Sequence, residues 1–486
     1  MLSILVCHSY YLRFDHKQLE RCKPYPPLAT LQVAAMLRNA GHDVSFFDAM
    51  LAEGLDEYES ALLAAQPRVV LLYEDTFNFL SKMCLAEMRQ AACQMIASAH
   101  RAGIKVIAAG PDVTDSPDAY LAAGADVALL GEGLSSLLEL LPRLDSKPDA
   151  SGAELTEGLY GVAALRSGKT VGVNGARVLP VAHYEGSAAW DLVDMERYRS
   201  MWLNAHGYFS LNMAGSRGCS FRCAWCAKPT WGNHYLQRSP RDVAAEMAYM
   251  KRAFEPDHIW FADDIFGFRI DWVLDFAAAA RAAGGIVPFT IQTRADLVSE
   301  RMAEALKDAG CREAWIGAES GSQRVLQSMN KGTTVAEILA ARERLKVAGI
   351  RVGFFIQLGY LGEQLADILS TRDLLEAARP DEIGVSVSYP LPGTKFYESV
   401  KAQLGAKTHW QESNDLEMMF EGTYTSDFYR AIRNLLHDQI SLQTSESNGQ
   451  ASEHHRAKSE LDRNWRQLLA RERQYLSPRG NSATAR

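Results

Sequence analysis

The sequence has no run of about 18 uninterrupted apolar residues, so no integral membrane segment is expected. Its opening, MLSILVCHSYYLRF, has no basic stretch ahead of its short apolar run, and no A-x-A site follows. A secretory signal is therefore not expected, and a cytoplasmic location is. There is no basic excess either. Lys and Arg number 51 against 59 Asp and Glu, a net charge of −8, which argues against a nucleic-acid partner. Cysteine is scarce, with eight in 486 residues. In a reducing compartment these read as core residues or metal ligands, and a disulfide scaffold is excluded. No repeat of 20 to 50 residues is visible. What is present is an ordinary globular balance, 47% hydrophobic and 23% charged. At roughly 150 residues per domain, the length predicts two or three domains.

Apolar strands spaced by helical stretches run through residues 1–144. Strands are expected at 3–7, 43–47, 69–73, 105–109 and 126–130, and helices at 28–39, 57–65, 84–102, 117–123 and 134–141. Ser116 is the expected N-cap of the helix at 117, with Pro117 at its first position. This alternation predicts an α/β unit with a doubly wound parallel sheet. Residues 145–205 open on the polar break SKPDASGAE and read as a linker with a little sheet, as at 170–173. Alternation returns over 206–412, with strands at 259–262, 287–292, 313–317, 352–358 and 382–388, enough for a partial barrel. Residues 413–486 read as a helical region with a flexible stretch at 441–457 and a loose tail.

Three of the eight cysteines fall in GCSFRCAWC, as Cys219-x3-Cys223-x2-Cys226. Iron–sulfur cubanes are normally held by four thiolates, and no fourth cysteine follows closely. Three leave one iron without a protein ligand, which suits a reactive site. The alternative is a structural zinc site with His234 as fourth ligand, at an unusual spacing. Cys7, Cys22, Cys84, Cys93 and Cys311 read as small hydrophobes.

The loop, with Trp225 before the third cysteine, resembles that of the radical SAM superfamily. AKPTWGN (227–233) and RSP (238–240) resemble the segment after the loop in cobalamin-dependent members. WFADDIFGF (260–268), QTRAD (292–296), GAESGSQRVLQSMNKGTT (317–334) and YPLPGT (389–394) resemble successive barrel strand ends. The resemblance implies a [4Fe-4S] cluster on Cys219, Cys223 and Cys226. It implies S-adenosyl-L-methionine (SAM) contacts from Trp225, Asp263, Arg294, Glu319 and Ser320. Independently, parallel barrels place ligand groups at strand C-termini, and an arginine meets a carboxylate as a fork. Taken singly, each of these polar residues could instead be a helix cap or a surface ion pair.

Residues 1–144 carry glycine-bearing or polar strand ends at Ser9, Thr76, Gly110-Pro111-Asp112 and Gly131-Glu132-Gly133. With PPLATLQVAAMLRNAGHDVSFFDA and AAGPDVTDSPDAYLAAGADVALLGEG, they resemble the cobalamin-binding domain of B12-dependent radical SAM enzymes. Those residues are the implied cobalamin contacts. The common Asp-x-His-x-x-Gly motif is missing: Asp15 and His16 are adjacent, so His16 reads as a loop residue and not as a cobalt ligand. The implied architecture is a Rossmann-like (flavodoxin-like) domain followed by a partial (β/α)6 TIM barrel. The implied activity is methyl transfer from methylcobalamin to an unactivated carbon of a small molecule. An external electron donor such as flavodoxin or ferredoxin is also implied. A cyclase or rearrangement enzyme with the same cofactors, a non-catalytic cobalamin or redox sensor, and an N-terminal unit that binds no cofactor are the alternatives.

Overall fold

Strands that face helices on both sides of a sheet read as nearly continuous apolar runs, as SILVC, VVLLY and KVIAA of the first sheet do. The computed structural model describes residues 1–78, 85–173, 187–226, 234–405, 416–445 and 451–478. The first sheet holds β1 (Ser3–Cys7), β2 (Asp43–Phe47), β3 (Val69–Tyr73), β4 (Lys105–Ala109), β5 (Val127–Leu129), β6 (Val162–Arg166) and β7 (Lys169–Val173). Their order is β2-β1-β3-β4-β5-β6-β7. β1 to β5 pair in parallel, the flavodoxin-like arrangement. Alternate residues feed two separate cores. Ile4, Val6, Val69 and Leu71 pack with helices Leu28–Asn39 and Leu134–Ser146. Leu5, Cys7, Val70 and Leu72 pack with helices Leu55–Ala65 and Ala86–Arg101.

Two local expectations change. β6 and β7, from the stretch read as a linker, continue the first sheet as an antiparallel hairpin. Ser116 stands at the N-cap of helix Pro117–Ala122 but its side chain makes no capping bond.

The second unit contains β8 (Ser210–Met213), β9 (Ser216–Gly218), β10 (Tyr235–Gln237), β11 (His258–Phe261), β12 (Phe289–Thr293), β13 (Cys311–Glu319), β14 (Arg351–Leu358) and β15 (Glu382–Val387). Six of them form a parallel sheet in chain order from β8 to β15, a partial (β/α)6 barrel. β9 and β10 make a separate antiparallel pair. Helix Ser426–Ser445 packs on β15, and helix Ala451–Ala470 packs on that helix. Both run into the stretch expected to be flexible, ending at 445 and resuming at 451.

The two units share a core. Leu28, Leu31, Met50, Leu85 and Met88 belong to the same buried cluster as the barrel strands. A strap from the first unit lies along β8: Tyr25 Oη is 3.1 Å from Ser210 Oγ, and Asn212 Nδ2 donates to the Pro26 carbonyl. Trp202, on helix Met195–His206, donates its indole N–H to the Pro24 carbonyl. Arg217 on β9 and Glu132, just past β5, form an ion pair at 3.4 Å, with both side chains buried.

Candidate cofactor-binding site

Cys219 follows β9 directly and is buried; Cys223 and Cys226 are partly exposed. Backbone bonds pin the loop between two distant segments. Ala224 N donates to the Met329 carbonyl, and Phe396 N donates to the Ala224 carbonyl. Asn330 Nδ2 donates to the Arg222 carbonyl at 2.6 Å. Among the described residues, no three Cys, His, Asp or Glu side chains converge on one point as ligands of a single metal ion would. A cubane differs in this respect, because each thiolate binds a different iron.

Arg294, just past β12, brings a cation to the loop. Its guanidinium stands 3.7 Å from Cys223 Sγ and stacks 3.7 Å above the Phe221 ring. Its Nε and Nη2 donate to the Asp296 carboxylate at 2.9 and 3.1 Å, and Nη2 also reaches the Lys331 carbonyl. The fork expected for SAM thus meets a carboxylate two residues away. Lys331, which the sequence reading missed, is buried with its ammonium 2.8 Å from Glu319 Oε1. Burial pulls its pKa down, but Glu319 and Cys223 hold it above the ordinary lysine value. No local pattern marks it, since lysine in a polar loop normally reads as exposed.

Glu319 ends β13 at a register shift and adopts a left-handed φ of 59°. A β-carbon at Gly317 would fall 2.6 Å from Lys331 Nζ and 2.7 Å from Glu319 Oε1, so glycine makes room for this pair. Ser320 is buried, shares a hydrogen bond with Thr371 and accepts from Ser322 N. Asp263 accepts from Gly215 N and Ser216 Oγ and braces the turn between β8 and β9. Burial raises its pKa to about 7. The Trp225 indole N–H is buried without a hydrogen-bond partner among the described residues. Of the other five cysteines, Cys7 and Cys311 are buried, Cys22 and Cys93 are half-buried, and Cys84 lies outside the described residues. The AKPTWGN segment also lies outside them. His234 is exposed.

Strand register sorts the barrel's two faces. Leu211, Ile259, Phe289, Ala314, Val352 and Ile383 fall on the apolar face, under the helices. Asn212 pairs with Trp260, Trp260 with Thr290, Gln292 with Trp315, Trp315 with Gly353, and Gln357 with Ser386, so these share the inner face. Trp315 stacks on Phe355 at 4.8 Å. Asn212 Oδ1, Trp260 Nε1, Gln357 Oε1 and Ser388 Oγ are buried with no hydrogen-bond partner among the described residues.

The rim of the first sheet is arranged differently. Ser9 donates from N and Oγ to Glu74 and from Oγ to the Met88 carbonyl. Asp112 pairs with Arg89 and accepts from Tyr120. Glu132 is the partner of Arg217. Thr76 Oγ1, by contrast, is buried and unpartnered among the described residues. Gly110, Gly131 and Gly133 have positive φ, at 153°, 70° and 69°. A β-carbon would clash with Glu74 at Gly110 and with Leu129 at Gly133. Pro111 opens the short helix after Gly110. His16 opens helix His16–Arg21 instead of lying in a loop, and faces solvent near Glu20. A separate cleft of about 480 Å³, lined by Phe46, Phe47, Asp48, Asp56, Glu57 and Arg197 among others, contains none of the expected contacts.

Residues 213–375 match the model of the Radical SAM superfamily, and residues 21–141 match that of the B12 binding domain. The chain is a radical SAM enzyme with a B12-binding domain. An uncharacterized methyltransferase of Pyrococcus horikoshii is 25% identical over 405 residues, covering 81% of this chain and 82% of that protein. The hopanoid C-3 methylase of Methylococcus capsulatus is 23% identical, covering 79% and 70%. The solved structure of the radical SAM methyltransferase TsrM from Kitasatospora setae, with cobalamin and a [4Fe-4S] cluster bound, superposes with a TM-score of 0.64. It covers 84% of this chain and 79% of TsrM at 17% identity, a likeness of fold.

Proposed function

We propose that this radical SAM enzyme moves a methyl group from cobalamin to an unactivated carbon of a small molecule. The observation that carries the reading is the buried Arg217–Glu132 pair. It joins the C-terminal rim of the cobalamin-type sheet to the strand that leads into the cysteine loop. Two ligands bound at those rims would then share one space. When bound, the cofactors supply hydrogen abstraction at the cluster side and a transferable methyl at the corrin side.

The residues present fit these groups. Three thiols on one loop, a fixed cation beside Cys223 and a Trp225 N–H without a partner among the described residues suit an anionic cluster and SAM. Cys219, Cys223 and Cys226 are the assigned cluster ligands. The idle polar atoms of the inner barrel face suit SAM and the substrate. Thr76 and the glycine backbone at Gly110, Gly131 and Gly133 suit a large flat ligand that backbone must approach closely. Ser9, Asp112 and Glu132 hold the rim in shape through Glu74, Arg89 and Arg217. The electron comes from an external donor such as flavodoxin or ferredoxin, and the enzyme works in the cytoplasm. Among the described residues no helix is long and apolar enough to cross a membrane.

The test uses anaerobically reconstituted enzyme with hydroxocobalamin, dithionite and SAM. Methyl transfer predicts S-adenosylhomocysteine together with methylcobalamin, both dependent on added cobalamin. 5′-Deoxyadenosine without S-adenosylhomocysteine would instead favour a cyclase or rearrangement enzyme.

A further inference from the structure

Arg294 is held more tightly than a ligand fork needs to be. Its Nε and Nη2 are taken by Asp296, Nη2 reaches the Lys331 carbonyl, and its plane lies on Phe221. The remaining Nη1 points at Cys223 Sγ, 3.7 Å away. Lys331, whose backbone Arg294 grips, belongs to the segment Met329–Asn330–Lys331 that also bonds Ala224 and Arg222 of the cysteine loop. Arg294 therefore touches the loop from two sides and places a fixed positive charge beside one sulfur.

We propose that Arg294 is a positioning residue that makes the cluster easier to reduce. The inference rests on the reading that Cys219, Cys223 and Cys226 hold a [4Fe-4S] cluster. The couple is the cluster's one-electron reduction by a low-potential one-electron donor; one electron enters and no bond changes. Reduction adds a negative charge. A hydrogen bond to a ligand sulfur and a nearby cation both favour the more negative form, and net charge and hydrogen bonds to sulfur are what set such potentials. Asp296 opposes the effect by neutralising the guanidinium it binds. Two variants of this one cluster should therefore shift in opposite directions. A role confined to holding the loop in shape would not produce that.

The experiment is an anaerobic redox titration of reconstituted full-length enzyme, without SAM, followed by the electron paramagnetic resonance signal of the reduced cluster. Arg294→Met should make reduction about tenfold less favourable, a midpoint lower by ~59 mV for one electron. Arg294→Lys, which keeps the charge and loses the fork, should recover part of that shift. Asp296→Asn should move the midpoint upward. An Arg294→Met midpoint equal to that of the unmodified enzyme, or shifts of the same sign in both variants, would overturn the proposal. If Arg294→Met does not retain iron, Asp296→Asn decides alone: upward supports the proposal, and unchanged or downward overturns it. The underlying assignment fails separately, if Cys223→Ala still assembles a full cluster.

Discussion

Two buried serines at comparable strand ends show how differently the two halves of this enzyme are built. Ser9, past β1, gives both its N–H and its hydroxyl to Glu74. Ser388, past β15, is just as buried, yet its hydroxyl has no partner among the described residues. The pattern extends around each. On the first sheet, Asp112 and Glu132 are also engaged with protein partners, while Thr76 Oγ1 is buried without a hydrogen bond among the described residues. On the barrel's inner face, Asn212, Trp260 and Gln357 each keep a polar atom with no partner among the described residues. Idle buried polar atoms cost free energy unless a ligand completes them. The barrel thus presents side chains to what it binds, whereas the first sheet presents mostly shaped backbone.

The largest effect is expected at the cysteine loop. Cys223→Ala should abolish cluster assembly, read as iron per chain and cluster absorbance, while Cys311→Ala retains full iron. Loss of iron from Cys311→Ala would end the three-ligand assignment. Next is the link between the halves. Arg217→Met leaves Glu132 buried without its cation and should cost about 3–5 kcal/mol in chemical denaturation. Pairing it with Glu132→Leu should return most of that loss. The serines sharpen the contrast directly. Ser9→Ala should cost about 1–3 kcal/mol, because Glu74 loses a buried donor, and Ser388→Ala should cost nothing measurable. Equal losses would show that the barrel serine has a partner of its own. The smallest effect belongs to Thr76→Val. Stability should hold, and affinity for hydroxocobalamin in equilibrium dialysis should fall by about 0.5–1.5 kcal/mol, the worth of one hydrogen bond.

Much of this was legible in the sequence, for physical reasons. Strands buried on both faces read as apolar runs, and helix Leu28–Asn39 has the bounds its pattern predicts. Cysteine spacing is local, so the loop announces itself. What stayed hidden depends on contacts between distant residues. Nothing near Lys331 says that it will be buried against Glu319, and nothing near Glu132 points to Arg217, 85 residues away. The β-like piece at 170–173 was legible, but β6 and the joining of both strands to the first sheet were not, because a short antiparallel hairpin takes its place from the edge it joins. Arg294 was expected to present a free fork, and only the fold shows Asp296, Lys331 and Phe221 occupying it.

The shared core has a consequence for how the molecule comes apart. Leu28, Leu31, Met50 and Met88 cannot be exposed without opening the barrel's own packing, and Arg217 cannot leave without taking a buried cation from Glu132. Melting should then be a single calorimetric event instead of one per unit. In a cooperative molecule, whatever binds only the folded form stabilises all of it. Corrin bound to the first sheet would protect the cysteine loop from proteolysis, and the loaded loop would protect the corrin, by stabilising one common folded state.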